Sequence, residues 1–533
     1  MFFTRFTAFG LCVIAALVSG YYLPNVWAIP VFAISLGLSL VGVYDLTQPL
    51  HSVRRNYPVI GHLRWFFEQI RPEIRQYLIE GSQEKVPFSR AQRSLVYQRA
   101  KNENSDIAFG TLVDVYQNGY EFIAHSTRPA PPADPTSFRV PIGGKDCTQP
   151  YSASIFNISA MSFGSLGANA ILALNKGAML GGFAHDTGEG SISPYHREHK
   201  GDLIWEIGSG YFGCRTADGN FDPKRFAEQA ADPQVKMIEI KLSQGAKPGH
   251  GGILPAQKIT TEIAATRGVP MDEDCVSPAR HRAFSTPAEL VAFIAELRRL
   301  SGGKPVGFKL CVGQPWEFMG IVKAMRDAST YPDFIVVDGA EGGTGASPQE
   351  FTDHLGMPLR ESLLFVHNTL VGAGIRQHIK VGAAGKIVSA FDIAAAMALG
   401  ADWVNAGRGF MFALGCIQSL SCHTNRCPVG VATQDRMRQR ALVVPDKAER
   451  VHNFHRNTLA ALSDMIAAAG LEHPDQIGPH HLVRRVSLTE IRMFSQLHIF
   501  LREGELLTEA HDRDFYSNAW RVARADSFEL AAA

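Results

Sequence analysis

The sequence predicts an α/β protein, a (β/α)8 barrel behind an N-terminal transmembrane helical hairpin, and three observations carry that prediction. Eight short β-rich runs alternate with helical stretches beyond residue 136, glycine clusters follow the last three of those runs, and residues 6–44 hold no charged side chain. The runs are SIFNIS (154–159), GGFAHD (181–186), LIWEIG (203–208), KMIEIK (236–241), VGFKLC (306–311), FIVVDG (334–339), IKVGAA (379–384) and WVNAGR (403–408). Strands separated by helices such as TPAELVAFIAELRRL pair in parallel, and eight of them imply closure into a barrel whose chemistry sits in the loops after the strands. The rival, an open doubly wound sheet, wants a strand, G-x-G-x-x-G and a helix in succession. The sequence offers no such unit.

The charge-free run is broken at Leu23, Pro24 and Asn25 into two apolar stretches, each near the roughly 20 residues that a membrane helix needs. Arg5 flanks one end and Arg54, Arg55 and Arg64 the other, while the turn between has no basic residue. Positive charge stays on the cytoplasmic side, so both ends are expected there. The expected location is the inner or cytoplasmic membrane, with the catalytic domain facing the cytoplasm. A cleaved signal peptide and a buried helical hairpin are the rival readings; the second apolar stretch is one that a cleaved signal does not need. The expected organisation is a hairpin over 1–50, a helical segment closed by the Pro-rich linker RPAPPADP over 51–135, a barrel over 136–470 and a C-terminal extension over 471–533.

Apolar residues make up 46% of the chain, and a net charge of +1 provides no field for steering nucleic acid. Eight cysteines are too scattered for a secreted disulfide framework and point to reduced thiols. Three of them do cluster. Cys416, Cys422 and Cys427 stand in a C-x5-C-x4-C pattern followed by Pro428. Three thiolates in so short a span are a soft ligand set suited to iron–sulfur or zinc. A Cys3His zinc site using His423 and three buried, unligated cysteines are the competing readings, although adjacent Cys422 and His423 are poorly placed to turn to one ion. The glycine clusters EGGTGASP (341–348), GAAG (382–385) and GRG (407–409) follow the sixth, seventh and eighth runs. Loops after strands seven and eight of barrels often bind phosphate, so the glycines suggest a phosphorylated cofactor; the plainer reading is tight turns.

Taken together, NISAMSFGSLG (157–167), TGEG (187–190), KLSQGAKPGHGG (241–252), VVDGAEGGTGASP (336–348), MALGADWVNAGRG and the cysteine motif with CPVGVATQ resemble the FMN-binding synthase domain of the glutamate synthase large subunit. The resemblance covers about residues 140–470 and looks like that of a smaller, membrane-anchored relative within the FMN-binding glutamate synthase family. It implies a TIM barrel holding FMN and, on Cys416, Cys422 and Cys427, a [3Fe-4S] cluster. It also implies reduction of a 2-imino acid made from 2-oxoglutarate and ammonia. Gly343, Gly382, Gly385, Gly407, Arg408 and Gly409 are implied at the FMN, with Met161 and Ser162 lining the flavin. Lys241 and Glu189 are the implied catalytic pair, Lys241 stabilising negative charge and Glu189 taking part in proton transfer. Lys247 and Arg267 are implied to hold the carboxylates of the 2-oxo acid.

Three features set the chain apart from the full family pattern. The chain opens on Met1 and an apolar hairpin where the family's glutaminase domain has its N-terminal cysteine, so it is not expected to hydrolyse glutamine. With no NAD-binding unit in the sequence, electrons are expected from a partner, a ferredoxin or a separate reductase subunit. After Lys-Pro-Gly the family usually has Glu-Gly-Gly-Gln, whereas His250, Gly251, Gly252 and Ile253 stand here. The missing amide bears on the 2-oxoglutarate assignment. A related enzyme forming C–N bonds between glutamate and an amine, and a membrane electron-transfer protein using the same cofactors, are the alternatives.

Overall fold

The computed structural model describes residues 5–84, 87–508 and 514–531. The chain divides into two compact units, Met1–Glu84 and Lys85–Ala533.

In the first unit the charge-free run folds as two helices, α1 (Thr7–Tyr21) and α2 (Ala28–Thr47). They run antiparallel: the Phe9 ring lies against Gly42 and the Phe32 ring against Gly20. A Cβ on Gly42 would fall 2.2 Å from Phe9, so the absence of a side chain is what lets that ring dock. Ser19, Ser35 and Ser39 donate to the carbonyls of Ala15, Val31 and Ser35 at 2.5, 2.6 and 2.7 Å, which keeps their hydroxyls satisfied inside the helices. The two apolar stretches looked alike in sequence but differ in the fold. With 20 residues, α2 is long and apolar enough to cross a membrane, while α1 has only 15. Pro24 accounts for part of this, because a residue preceding proline is pushed out of the helical region. At the end of α2 the buried Asp45 accepts from the Val59 N–H at 2.9 Å and lies 2.8 Å from His62 Nε2, fixing the turn into the helix His62–Ile74.

The second unit is built on a closed barrel of eight parallel strands, and every predicted run supplies one. They are β1 (Phe156–Ile158), β2 (His185–Asp186), β3 (Leu203–Ile207), β4 (Val235–Lys241), β5 (Val306–Leu310), β6 (Phe334–Asp338), β7 (Lys380–Ala384) and β8 (Trp403–Ala406). Pairing of Val404, Asn405 and Ala406 with Phe156, Asn157 and Ile158 closes the ring. Strands covered by helices outside and side chains inside are buried on both faces, which is why they read as short apolar runs. The intervening helices begin at side-chain caps: Thr286 accepts from Glu289 N before Pro287–Leu300, and Ser389 forms a capping box with Asp392 before Ala390–Ala398. Outside β1, the rings of Phe156, Phe183, Phe410, Phe454 and His455 pack face to face and edge to face. Burial pushes His455 down to about 3, so it packs as a neutral ring with Nε2 2.9 Å from Ser154 Oγ.

Residues 51–135, expected as one helical segment, are shared between the two units. The helix α3 (Arg90–Lys101) belongs to the barrel unit and packs on the long helix α4 (Val444–Ala468), with Asn453 Nδ2 donating to Ala100 O at 3.3 Å. The strand Glu121–Ile123 pairs antiparallel with Leu482–Arg485, tying the region before the barrel to the C-terminal extension. Periodicity within 51–135 carries no trace of either long-range partner.

The bottom of the barrel is locked by Asp333, which accepts from Gly144 N at 2.6 Å, Val306 N at 2.8 Å and Arg298 Nε at 3.0 Å. Both members of the Arg298–Asp333 pair are buried, and removing one partner of such a pair costs about 3–5 kcal/mol because the other charge is left unanswered. An Asp333→Ala variant is therefore expected to lose stability in that range in denaturant unfolding followed by circular dichroism, and to lose far more than an exposed-pair variant such as Glu296→Ala.

Candidate active site

The loops at the C-terminal ends of the strands enclose a cavity. Ser159, Met161 and Ser162 follow β1, Gly188 and Glu189 follow β2, Lys241 ends β4 with Gln244 and Lys247 just beyond it, and Gly343, Gly385, Gly407 and Arg408 follow β6, β7 and β8. Its charge is unbalanced. Lys241, Lys247, Lys258, Lys309, Lys386, Arg267 and Arg408 line it against only Glu189, Glu206 and Asp338. A recess with that excess of cations suits an anionic ligand.

Glu189 and Lys241 meet at its centre, with Nζ 3.1 Å from Oε1. Lys241 also donates to Gln244 Oε1 at 2.6 Å, and Ser277 Oγ donates to Glu189 Oε2 at 3.3 Å. Two glycines make room for the carboxylate: a Cβ on Gly252 would stand 2.1 Å from Oε1, and one on Gly208 2.8 Å from the same side chain. Burial works against the charge of Glu189, but Lys241, helped by Arg267 and Lys247, outweighs it and holds the carboxyl below its ordinary value. Glu189 is therefore an anion at neutral pH, an acceptor of protons rather than a donor. Lys247 is buried, and desolvation together with the Lys241 charge lowers its pKa against the pull of Glu189.

Arg267 is also buried, at the end of the helix Thr261–Arg267. It donates to Phe163 O at 2.9 Å and Ser162 Oγ at 3.3 Å, and it lies over the Phe212 ring at 5.3 Å. Its guanidinium thus fixes the loop that carries Met161 and Ser162, and its buried Nε has no hydrogen-bond partner among the described residues. Burial thus takes both Lys247 and Arg267 off the solvated surface. Ile253 lines the mouth in a two-residue strand paired with Cys275 and Val276, and it is 43% exposed.

The glycines divide into two kinds. Gly343, Gly385 and Gly407 line the cavity, and a Cβ on Gly343 would stand 2.8 Å from Arg408 Nε. Gly382 and Gly409 do not line it. A Cβ on Gly382 would strike the Trp403 ring at 2.5 Å, and one on Gly409 would meet Ile387 O at 3.2 Å, so both serve packing. Arg408 opens the helix Arg408–Ala413 and donates to Thr344 O at 2.6 Å; its other nitrogen is 3.7 Å from Cys422 Sγ. It pairs with no carboxylate among the described residues.

Cys416 and Cys427 are buried and Cys422 is half-buried, in a loop braced from beneath by Lys258. The Lys258 ammonium donates to Cys422 O at 2.8 Å and Ala432 O at 3.3 Å, joining the cysteine loop to Ser165 O at 3.4 Å. The three sulfurs do not draw within 4.8 Å of one another; among the described residues only Asp186, Glu206 and Glu239 form such a group. A tetrahedral zinc site would bring its sulfurs to about 3.8 Å. Three thiols on one loop, with Arg408 3.7 Å from Cys422 Sγ, are a soft donor set of the kind that iron–sulfur clusters and zinc both take.

The pattern described as a conserved region in glutamate synthase matches residues 139–472. The chain belongs to the glutamate synthase family. It is 38% identical over 483 residues to the glutamate synthase large subunit-like protein YerD of Bacillus subtilis (strain 168), covering 83% of this chain and 91% of that protein. It is 34% identical to an archaeal-type glutamate synthase [NADPH] of Thermotoga neapolitana, covering 63% of each. Against the glutamate synthase [NADPH] large chain of Azospirillum brasilense it is 32% identical, covering 61% of this chain and 22% of that one. The chain thus spans less than two thirds of the latter two. The 483-residue match to the Bacillus protein reaches beyond the family's conserved region.

In this family member, sequence reasoning overlooked Lys258, Gln244 and the charged residues within the strands. The signal for the last was present: Glu206, Glu239 and Lys309 interrupt otherwise apolar runs. The electrostatics of Glu189 yield a pH dependence with a definite sign. A carboxyl held below its ordinary value of 4.5 contributes stability that is full above that value and lost as pH falls through its lower folded value. A Glu189→Gln variant is expected to lose stability less steeply than the unaltered protein below about pH 4.5, in urea unfolding across pH; equal slopes would show that Glu189 is not held ionised.

Proposed function

We propose that this chain is an FMN- and iron–sulfur-dependent oxidoreductase of the glutamate synthase type, reducing the 2-imino acid formed from 2-oxoglutarate and ammonia to L-glutamate. The observation that carries the reading is the cation-rich cavity centred on Lys241 and Glu189, walled by glycine loops and bordered by Cys422 of the cysteine loop.

FMN would lie against Met161 and Ser162 with its phosphate toward Gly343, Gly385, Gly407 and Arg408, and it would supply the hydride. A [3Fe-4S] cluster on Cys416, Cys422 and Cys427 would pass single electrons from a donor protein, a ferredoxin or a separate reductase subunit. The rest falls to the chain's own side chains. Lys247 and Arg267 hold the two carboxylates of the 2-oxo acid, Arg267 through the edge left unpartnered at Nε. Lys241, held as an ammonium opposite the ionised Glu189, delivers a proton to the substrate nitrogen. Loops on every side limit water at the imine, which would otherwise hydrolyse.

The same reading places the chain at the inner or cytoplasmic membrane through α1 and α2, with the barrel unit in the cytoplasm. The length of α2, the self-satisfied serines and the flanking arginines support it. Ile253, half-exposed at the mouth where the family's pattern has an amide, favours a second reading of the substrate, a C–N bond-forming reaction of glutamate with an amine.

Anaerobically purified full-length protein is expected to contain FMN, iron and acid-labile sulfide, and to form glutamate from 2-oxoglutarate and ammonia with a reduced one-electron donor. Cys422→Ser should lose iron and sulfide together while keeping FMN. Stoichiometric zinc without sulfide, or no glutamate from a flavin-loaded enzyme, would overturn the reading.

A further inference from the structure

Beneath the floor of the cavity the barrel encloses a second group of charges that the reaction as described does not use. Lys309 on β5 is buried, hydrogen-bonded to Glu206 on β3 and 3.2 Å from Glu239 Oε1 on β4. Asp186 on β2 completes the group, each of the three carboxyls offering an oxygen within 4.8 Å of the others. Their partners do not add up. Asp186 Oδ1 accepts from Gly188 N at 2.9 Å and Glu239 Oε1 faces the Lys309 ammonium, but Asp186 Oδ2 and Glu239 Oε2 are buried without a hydrogen-bond partner among the described residues.

Two facing carboxyls whose oxygens only accept are relieved by a proton shared between them. Charge argues the same way. Three carboxylates against one ammonium in a closed barrel would leave an excess of negative charge in a space that penalises it by several kcal/mol per ion. Burial, followed by the Glu206 charge, pushes Asp186 up to about 7 against the pull of Lys309, and burial pushes Glu239 well above its ordinary range. Lys309, despite its burial, is held as an ammonium by Glu206, Glu239 and Asp186. That ammonium already fills the cationic place among the acids.

The enclosed charges open upward. Glu206, Lys309 and Asp338 reach the cavity itself. Lys309 is in register with Lys241 on the neighbouring strand, two residues beyond Glu239 on β4. Asp338 on β6, raised by burial and lowered by Lys309 and Lys241, accepts from Gly245 N at 2.9 Å. The titratable and charged groups on these elements run from the barrel core to its mouth, Asp186 and Glu239, Glu206 and Lys309, Asp338, then Lys241 with Glu189, and Asp338 is linked to Lys309 and Lys241 through their charges.

We propose that Asp186, Glu206, Glu239 and Lys309 form a proton reservoir that feeds the cavity from below, through Lys309 and Asp338 to Lys241. The proposal rests on the reductive function proposed above, which needs protons where water is limited. Reducing one C=N bond to an amine takes two electrons and two protons. The electrons come from the one-electron donor protein; one proton would leave the carboxyl shared by Asp186 and Glu239, pass by way of Lys241 to the flavin as that takes up two electrons, and reach the substrate carbon with the electron pair, while the other passes from Lys241 to the substrate nitrogen; the carboxylate pair and Lys241 then each regain a proton from water.

Infrared difference spectroscopy of the full-length protein, titrated between about pH 5 and 9, is the direct test. A protonated-carboxyl C=O band that shifts in D2O and disappears with a midpoint of about 7 is expected. Both Asp186→Asn and Glu239→Gln should abolish it, so a folding failure in one leaves the other. No titrating band in the unaltered protein, or a band untouched by both substitutions, would overturn the reservoir. For the delivery step, proton uptake from the medium is followed with a pH indicator while the bound flavin is reduced. In the unaltered protein uptake should lag behind reduction; in the variants the lag should vanish and reduction should slow at least tenfold, and an unchanged lag and rate would overturn delivery. The infrared band does not depend on flavin, so a chain that purifies without FMN would defeat the proposed function while this readout still judges the reservoir.

Discussion

A lysine ammonium shut inside a ring of eight parallel strands cannot be left to itself, and much of this structure follows from how Lys309 is answered. The acids that surround it come from three different strands, so the ion pairs exist only when the ring is closed and β2 to β5 are in register. Replacing such a group by apolar side chains is often neutral or stabilising. Stability alone therefore gives no reason to keep it, and its position directly under a reactive cavity gives one.

The mouth of the barrel repeats the theme with the opposite sign. Below, acids outnumber the single cation; above, cations outnumber the acids, and Glu189 is kept ionised by the lysines and arginine around it. The upper tier suits an anionic ligand, and the lower one is where we propose that protons collect. Two basic residues also tie the cavity to the cysteine loop. Arg408 runs from the Thr344 carbonyl to Cys422, and Lys258 joins the loop after β1 to the backbone around Cys422 and Ala432. Any electron carrier on those cysteines is held rigidly beside the wall of the cavity.

The eight strands were legible because strands buried on both faces leave short apolar runs set off by helices, and that signal is local. Lys241 was legible because a lysine at the end of a strand points to the mouth. Lys309, Glu206 and Glu239 sit within strands, where an isolated charge in an apolar run has no visible partner until the barrel closes. Gly382 and Gly409 were assigned to the cofactor with their neighbours, yet one accommodates Trp403 and the other Ile387. A glycine carries no mark of which face it protects. Residues 51–135 read as one helical segment because helix periodicity does not record that Glu121–Ile123 pairs with a strand over 350 residues away. Nor does burial announce itself in a lone arginine such as Arg267.

We propose that the cation-rich mouth of this barrel holds a dicarboxylate over a flavin. A crystal structure of the full-length protein purified with its own cofactors and soaked with 2-oxoglutarate would decide this. The expected result is a flavin ring against Met161 and Ser162, a phosphate at Gly385, Gly407 and Arg408, and the two carboxylates of the 2-oxo acid on Lys247 and Arg267 with its reacting carbon near Lys241. A cavity holding no flavin, or a 2-oxoglutarate bound away from Lys247 and Arg267, would contradict it.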